Sequence, residues 1–478
     1  MNELCKMSGL KLAEMIVKRE VSSLEVVEAH IARISEVNPK INAVVEDRFA
    51  LARAEARNAD RLVRKTHPTN LPPYTGVPFT VKEAIALKGM PFTSGVVARR
   101  GVYAKEDAPV VRRLREAGAI PLGSTNCSEL CMWMESHNKV YGRTKNPYDP
   151  SRISGGSSGG EGAIIGAGGS PFGLGADFGG SIRMPAFFNG IFGHKPTPGL
   201  VPNTLNYPIA DGDSATMMVT GPLCRKAEDL WQVLRIISGP DGKDENCVRT
   251  LRGDPNHVDF KKLKVFVIET NHIFEPTAEM KKALWDAAEH LGVLGAQVEA
   301  FDCKEFVNTG FMWIAAVSAG SKTTYSMLMG QGKEINLLVE SVKFFLGLSP
   351  YTLPSLGLAL MERAGKGADG WKQKWVEKGR TLREELTKKL GDDGIILFPP
   401  YPETAPLHNM PIVPPFKWLY TAIFNVLRFP ATAVPMGLSE QGLPLGVQVA
   451  ASTGNDHLCI AVAQELERRF GGWVPPPF

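Results

Sequence analysis

The chain has 478 residues, 44% hydrophobic and 22% charged, an ordinary globular composition with enough length for a large core. Its net charge of +4 is too small for this length to argue for a nucleic-acid partner, and no run of about eighteen uncharged apolar residues offers a membrane span. The seven cysteines are scattered and odd in number, which fits unpaired thiols in a reducing compartment; the one close pair, Cys127 and Cys131, lacks the second pair that zinc needs.

Length alone suggests about three domains. No Pro/Ser-rich linker, charge block or internal repeat divides the sequence, so one domain over 1–478 is expected, with residues 1–70 as N-terminal helices packed on it. Lys6, Lys11, Glu14, Lys18 and Arg19 interrupt any apolar leader. Residues 8–36 read as two amphipathic helices. Ser22 and Glu25 form a capping box, and Leu24, Val27, Ile31 and Ile34 make a buried stripe. GVPFTVK then reads as a strand entering the core with Lys82 at its end, an unusual residue for such a strand. On residue type alone, Lys82 is equally a lysine snorkelling to the surface. A helix over 109–117 and a strand over 119–123 follow, and an irregular loop over 124–153. Within that loop Met132, Trp133 and Met134 are either plain core or the lining of an acyl pocket.

The loop leads into SGGSSGGEGAIIGAGGSPFGLGADFGGSIR, Ser154 to Arg183. Twelve of the 28 residues from Ser154 to Ser181 are glycine, a density that marks backbone turning tightly or approaching something closely. A flexible linker would leave Ile164, Ile165, Phe172 and Leu174 in water. Between the glycine clusters, Phe172 to Asp177 reads as a short strand. A P-loop would need a Lys-Ser/Thr pair that is missing, and Gly173, Gly175 and Gly179 miss the dinucleotide spacing by one residue. Gly155, Ser157 and Gly159 match the nucleophile elbow G-x-S-x-G, but KNPYDPSRIS ahead of them is a turn, not the buried strand the elbow requires.

Beyond residue 200, strands are expected over 263–269, 395–398 and 443–451, with helices over 276–291, 370–390 and 455–470. Gly391 and Gly471 are placed to cap the last two helices. Apolar strands alternating with helices imply an α/β fold with a largely parallel sheet. The segment 342–361, VKFFLGLSPYTLPSLGLALM, is apolar, broken by Pro350 and Pro354 and flanked by Lys343 and Arg363. It reads either as a buried helical hairpin or as an interfacial element that dips into a bilayer. Phe416, Trp418, Tyr420 and Phe424 form an aromatic run that offers a second apolar wall.

GGSSGG at Gly155–Gly160 and GGSIR at Gly179–Arg183 resemble the two hallmarks of the amidase-signature family. The likeness continues through GVPFTVKEA, GSTNCSELCMW, GIFGHKPTPG and LPLGVQVAA. Within the family, MPAFFNGIFGHKP and Glu161 after GGSSGG are most similar to the fatty-acid amide hydrolases, particularly their type-2 branch. The resemblance implies an α/β fold with a large mixed sheet covered by helices on both faces. It implies a Ser–Ser–Lys relay: Ser181 as nucleophile, Ser157 in a cis peptide as proton bridge, and Lys82 as base and then acid. Lys82 would be kept neutral by burial. The N–H groups of Phe178, Gly179, Gly180 and Ser181 would form the oxyanion hole, and Ser158, Asp177 and Arg183 would hold the loop. Cys131, Met132, Phe344, Phe345 and Trp418 would line the substrate pocket, with 342–361 as a membrane cap over the acyl entrance.

The histidines give no clear alternative base: His194 lies in a Pro/Gly turn, and His408 and His457 have no motif around them. DFGGSIRMP replaces the DTGGSIRQP-like run of the family's tRNA-dependent amidotransferases, and Phe178 and Met184 remove polar groups suited to glutamine. The expected activity is hydrolysis of fatty-acid primary amides and N-acyl amines. A generalist amidase or esterase is one rival, and an amidotransferase subunit is the other. The partners expected are a lipid-like small-molecule substrate, peripheral contact with a membrane, and a second copy in a homodimer; no nucleic acid, metal or organic cofactor is expected. The expected location is intracellular and membrane-associated, or cytoplasmic, with the branch's N-terminal anchor absent or trimmed.

Overall fold

The computed structural model describes residues 1–319, 323–364 and 369–477. Its strands are β1 (Val44–Asp47), β2 (Pro78–Lys82), β3 (Ile120–Thr125), β4 (His137–Asn138), β5 (Gly142–Arg143), β6 (Phe172–Asp177), β7 (Phe192–Lys195), β8 (Val219–Cys224), β9 (Lys264–Val267), β10 (Gln297–Ala300), β11 (Gly394–Phe398), β12 (Ala431–Leu438) and β13 (Pro444–Ala451). Eleven of these form one sheet in the order β1-β3-β2-β6-β8-β7-β12-β13-β11-β9-β10, and β4 pairs only with β5.

The sheet is mixed. Strands β3, β2 and β6 run parallel, as do β11, β9 and β10. Between these blocks β6-β8-β7-β12-β13-β11 is antiparallel throughout. The largely parallel sheet expected from the strand–helix alternation is therefore corrected. The central antiparallel strands β6, β7 and β8 are buried along their whole length. They consequently lack the in-and-out alternation that usually marks an antiparallel strand.

Helix boundaries follow local chemistry. Ser22 accepts from the Glu25 amide while the Glu25 carboxylate accepts from the Ser22 amide, starting the helix Ser23–Ile41. Thr277 caps the helix Ala278–Val293. Gly471, at φ 84°, ends the helix Asp456–Phe470, and Gly391, at φ 59°, follows the helix Asp369–Leu390.

The alternation of side chains along strands sets the two faces of the sheet. On β2, Phe79 and Val81 join the largest apolar cluster with Leu12, Val26 and Leu114. Thr80 and Lys82 point to the opposite face, and both are fully buried. On β6, Phe172 and Leu174 join the same large cluster, leaving Gly173 and Gly175 on the opposite face. The helix Gly159–Gly166 lies over those glycines. A Cβ on Gly173 would sit 2.1 Å from Glu161 Oε2, and one on Gly175 would sit 2.9 Å from Ser158 Oγ. Much of the glycine density is thus explained by a helix lying directly on a strand.

Candidate active site

Lys82 ends β2 with no exposed surface, and its Nζ lies 2.7 Å from Ser157 Oγ. Burial alone rules out the alternative of a lysine reaching the surface. The peptide Gly156–Ser157 is cis, as the resemblance implied. The Ser157 carbonyl accepts from Ser136 Oγ at 3.1 Å and from the Ser128 amide at 3.3 Å. These bonds hold Ser157 from behind and leave its hydroxyl turned to the lysine. Gly156 packs so closely that a Cβ there would lie 2.3 Å from the Trp133 carbonyl oxygen.

Two buried carboxyl groups flank the lysine's strand. Glu161 is hydrogen-bonded to the Thr80 hydroxyl at 2.6 Å and the Thr125 hydroxyl at 2.9 Å, tying β2 to β3 beside Lys82. Burial pushes its carboxyl up to about 8, against those two hydrogen bonds and the attraction of Lys82. Glu83 accepts from the amides of Thr93 and Ser94 and from the hydroxyls of Thr93 and Tyr141, at 2.6 to 2.9 Å. Burial nonetheless raises it to about 7.

Ser181 follows β6 on the loop Phe178–Ile182 and is 7% exposed. The two glycine loops meet here, for the Ser158 amide donates to the Ser181 carbonyl at 3.2 Å. Ser158 itself bonds to β6, its hydroxyl lying 3.3 Å from the Ala176 carbonyl. Asp177 and Arg183 make a fully buried bidentate pair at 3.0 and 3.1 Å. Arg183 also donates to the Thr421 carbonyl, Gln448 and Asn425, which brings β13 and the helix Leu419–Val426 against the loop. Burial opposes ionisation of Asp177, but the Arg183 guanidinium prevails and holds the carboxyl well below its usual range.

Peptide planes around Ser181 are fixed from outside the loop. Trp313 Nε1 donates to the Phe178 carbonyl at 2.9 Å, and Thr421 Oγ1 donates to the Gly179 carbonyl at 2.7 Å. Because the peptide is planar and trans, each carbonyl so held aims the following N–H the opposite way. The N–H of Gly180 is then taken by Asp177 Oδ1 at 2.9 Å. Gly180, one of the four expected oxyanion donors, thus has its N–H engaged with Asp177 in this structure. At φ 130°, with a Cβ that would fall 2.0 Å from Thr421 Oγ1, Gly180 is required by geometry.

The expected pocket residues separate into three groups. Cys131 sits in the turn after β3, with its thiol 3.4 Å from Ser94 Oγ. Met132 and Trp418 border the apolar cluster behind the loop, with Trp418 in edge contact with Trp313 at 4.7 Å between centroids. Met132 also borders a second cluster, formed by Leu337, Tyr351 and Leu356 in and beside the 342–361 segment, against which Phe344 packs. Phe345 does not line a pocket. It stands 84% exposed on the outer side of its helix, because successive helical residues diverge by about 100° and Phe344 already faces inward.

Trp313, Thr421, Asn425, Gln448 and Ser136 escape sequence reasoning, since each sits in an apolar helix, strand or loop with no motif. Among the described residues the histidines supply no catalytic triad either. His194 is fully buried between Thr432 at 2.8 Å and Asp456 at 3.1 Å, and His408 bonds Glu135. Among the described residues no group of three His, Cys, Asp or Glu side chains could hold a metal ion.

A family profile described as Amidase matches residues 25–460. The chain belongs to the amidase-signature family of hydrolases. It is 46% identical to fatty-acid amide hydrolase 2 of Homo sapiens, over 98% of this chain and 90% of that one. Fatty-acid amide hydrolase 2-A of Danio rerio is 44% identical, over 99% of this chain and 91% of that one. The solved structure of 6-aminohexanoate cyclic dimer hydrolase with its substrate superposes with a TM-score of 0.82 at 26% identity, covering all of this amidase and 99% of that chain. The α/β fold with a large mixed sheet is the fold of this family.

Proposed function

We propose that this amidase hydrolyses fatty-acid amides through Ser181, with Ser157 and Lys82 carrying the proton. The observation that carries the reading is the buried 2.7 Å contact of Lys82 Nζ with Ser157 Oγ, under the loop that bears Ser181. A serine hydroxyl attacks an amide only when a base takes its proton. In its neutral form Lys82 has the lone pair to accept the proton of Ser157, while Ser157 takes that of Ser181. Ser181 Oγ then adds to the substrate carbonyl, and the amides of Phe178, Gly179 and Ser181 are the donors available to the oxyanion. Collapse expels the amine, which needs a proton; Lys82 returns it through Ser157. Water, deprotonated by the same relay, then attacks the acyl-enzyme and releases the fatty acid.

The substrate class rests on the surroundings. Phe178, Trp313, Trp418 and Met132 present apolar surface beside the loop, and Met132 continues it toward the 342–361 hairpin. The hairpin consists of the helices Leu337–Phe345 and Leu353–Ala364. Tyr351, Leu356 and Ala359 are buried, whereas Val342, Phe345, Leu346, Leu348, Leu360 and Met361 are exposed. An exposed apolar rim of this kind suits the interface of a lipid bilayer. No helix among the described residues is long and apolar enough to cross one. The similarity to fatty-acid amide hydrolase 2 supports the same substrate class.

The test is a panel of primary amides of increasing acyl length, assayed on the purified chain alone. Each methylene buried in an apolar channel is worth about 0.8 kcal/mol, or about fourfold in kcat/KM, until the channel is filled. Such a rise is expected, and Ser181→Ala should lower kcat by several powers of ten across the panel. A flat response to chain length would favour a generalist amidase, and no turnover without a partner would favour the amidotransferase reading.

A further inference from the structure

We propose that a cleft lined by Arg249, Arg383 and Arg428 is a second binding site, for a small molecule that carries phosphate, either free or as a lipid headgroup. The cleft holds about 500 Å³. Neither Lys82, Ser157 nor Ser181 lines it, so binding there is independent of the relay proposed above. Among its described lining residues none is acidic. Guanidinium groups that share one space without a carboxylate repel one another, and an anion between them removes that repulsion.

Local structure brings the arginines together from distant parts of the chain. Arg383 and Thr387 stand one turn apart on the helix Asp369–Leu390 and so share a face. Leu382 and Leu386 of the same helix are buried in the apolar cluster with Met312 and Trp313, which fixes the helix with Arg383 and Thr387 at the cleft. On another wall, the Arg249 amide donates to the Gly199 carbonyl at 2.9 Å. Gly199, at φ 78°, approaches this loop so closely that a Cβ would fall 2.6 Å from the Asn246 carbonyl oxygen. Arg428, at φ 57°, lies just past the helix Leu419–Val426, and Thr453 Oγ1 donates to its carbonyl at 3.1 Å.

Among the described residues, the guanidinium groups of Arg249 and Arg383 have neither a hydrogen bond nor a salt bridge. Arg380, one turn before Arg383, is by contrast paired with Glu377 and Glu384. Arg383 is also partly buried. Burial lowers its guanidinium from the ordinary value; Glu384 opposes this, while Arg380 and Arg249 add to it. Two guanidinium forks without acceptors match phosphate oxygens, which take parallel N–H bonds in pairs. Thr387 and Asn246 line the same cleft and add neutral donors. Small-molecule sites span about 300–1,000 Å³, so the cleft has room for an organic group beside the phosphate.

The experiment titrates the full-length protein with inorganic pyrophosphate by calorimetry. In parallel it measures sedimentation with phosphatidylcholine vesicles, with and without phosphatidylinositol 4,5-bisphosphate. Pyrophosphate should bind saturably and more weakly as salt is raised. Arg249→Gln and Arg383→Gln should each weaken it about tenfold or more, the worth of a hydrogen bond to a charged group. Amide exchange in the wild type should slow over 246–249 and 383–387 when pyrophosphate is bound. Pyrophosphate binding without bisphosphate-dependent sedimentation assigns the site to a free phosphate compound. Sedimentation that needs both the bisphosphate lipid and the two arginines assigns it to a headgroup. The proposal is overturned if neither probe binds, or if binding is unchanged in the Arg249→Gln, Arg383→Gln double variant. Protection confined to other segments of the wild type also overturns it, even if a variant fails to fold. Binding is read without turnover, so an error in the choice of nucleophile leaves this result untouched.

Discussion

Lys82 is the residue on which the proposed chemistry turns, because it must serve first as base and then as the donor that lets an amine leave. Replacing it by alanine should lower turnover of amides by about 10²–10⁴-fold. Matched esters should lose markedly less, since an alkoxide departs with less help from a proton donor. Parallel kinetics on an amide and ester pair with the same acyl chain make the comparison; equal losses would mean that Lys82 does not protonate the leaving group. Glu161, beside it, makes a prediction about stability. Its carboxyl titrates at about 8 in the fold against 4.5 ordinarily, so the native state holds a proton that the unfolded chain has released. Stability attributable to Glu161 therefore falls as pH rises from about 4.5 to about 8 and is level beyond. Glu161→Gln should lose that share of the slope, gaining in Tm relative to wild type between pH 5 and pH 8. Glu83 and Asp229, both raised to about 7 by burial, leave a residual slope in the variant. Parallel Tm curves for the two proteins would contradict the shift.

Elements differ in how plainly the sequence declares them. Residues 78–82 are legible as a strand with a misplaced lysine, and the structure adds that the period of two turns Thr80 and Lys82 away from the main core. The glycine stretch is legible as close packing, although only the folded chain shows that the helix Gly159–Gly166 rests on Gly173 and Gly175. Trp313 and Thr421 are not legible: their role is to hold two carbonyls across the fold, and nothing in an apolar helix announces that. The hairpin leaves two readings open in the sequence, and the structure gives it a buried side and an exposed one. Changing Phe345, Leu346 and Leu348 together to serine should weaken binding to liposomes and raise KM for long-chain amides. Short soluble amides should be unaffected, and stability should shift by no more than about 0.5 kcal/mol per exposed site. Phe344 packs inward, so Phe344→Ser belongs to a different experiment and should cost about 1–3 kcal/mol. A uniform loss on all substrates by the stably folded triple variant would remove the hairpin from acyl entry.

At the scale of the whole molecule, one eleven-stranded sheet brings together residues far apart in the chain: Lys82 from β2, Ser157 and Ser181 around β6, and Arg183's partners from β13 and the helix before β12. Motif order along the chain is enough to mark the family, but strand direction is not readable from it. Burial on both faces erases the alternation that distinguishes antiparallel strands from parallel ones, and pairing partners are set by contacts between distant segments. In the proposed relay Ser181 attacks while Ser157 passes the proton. It is tested most directly by reacting the protein with a fluorophosphonate and locating the label by peptide mass spectrometry. A single label is expected on Ser181, absent in Ser181→Ala and formed much more slowly in Lys82→Ala. Label on Ser157, the serine of the G-x-S-x-G match, would contradict it.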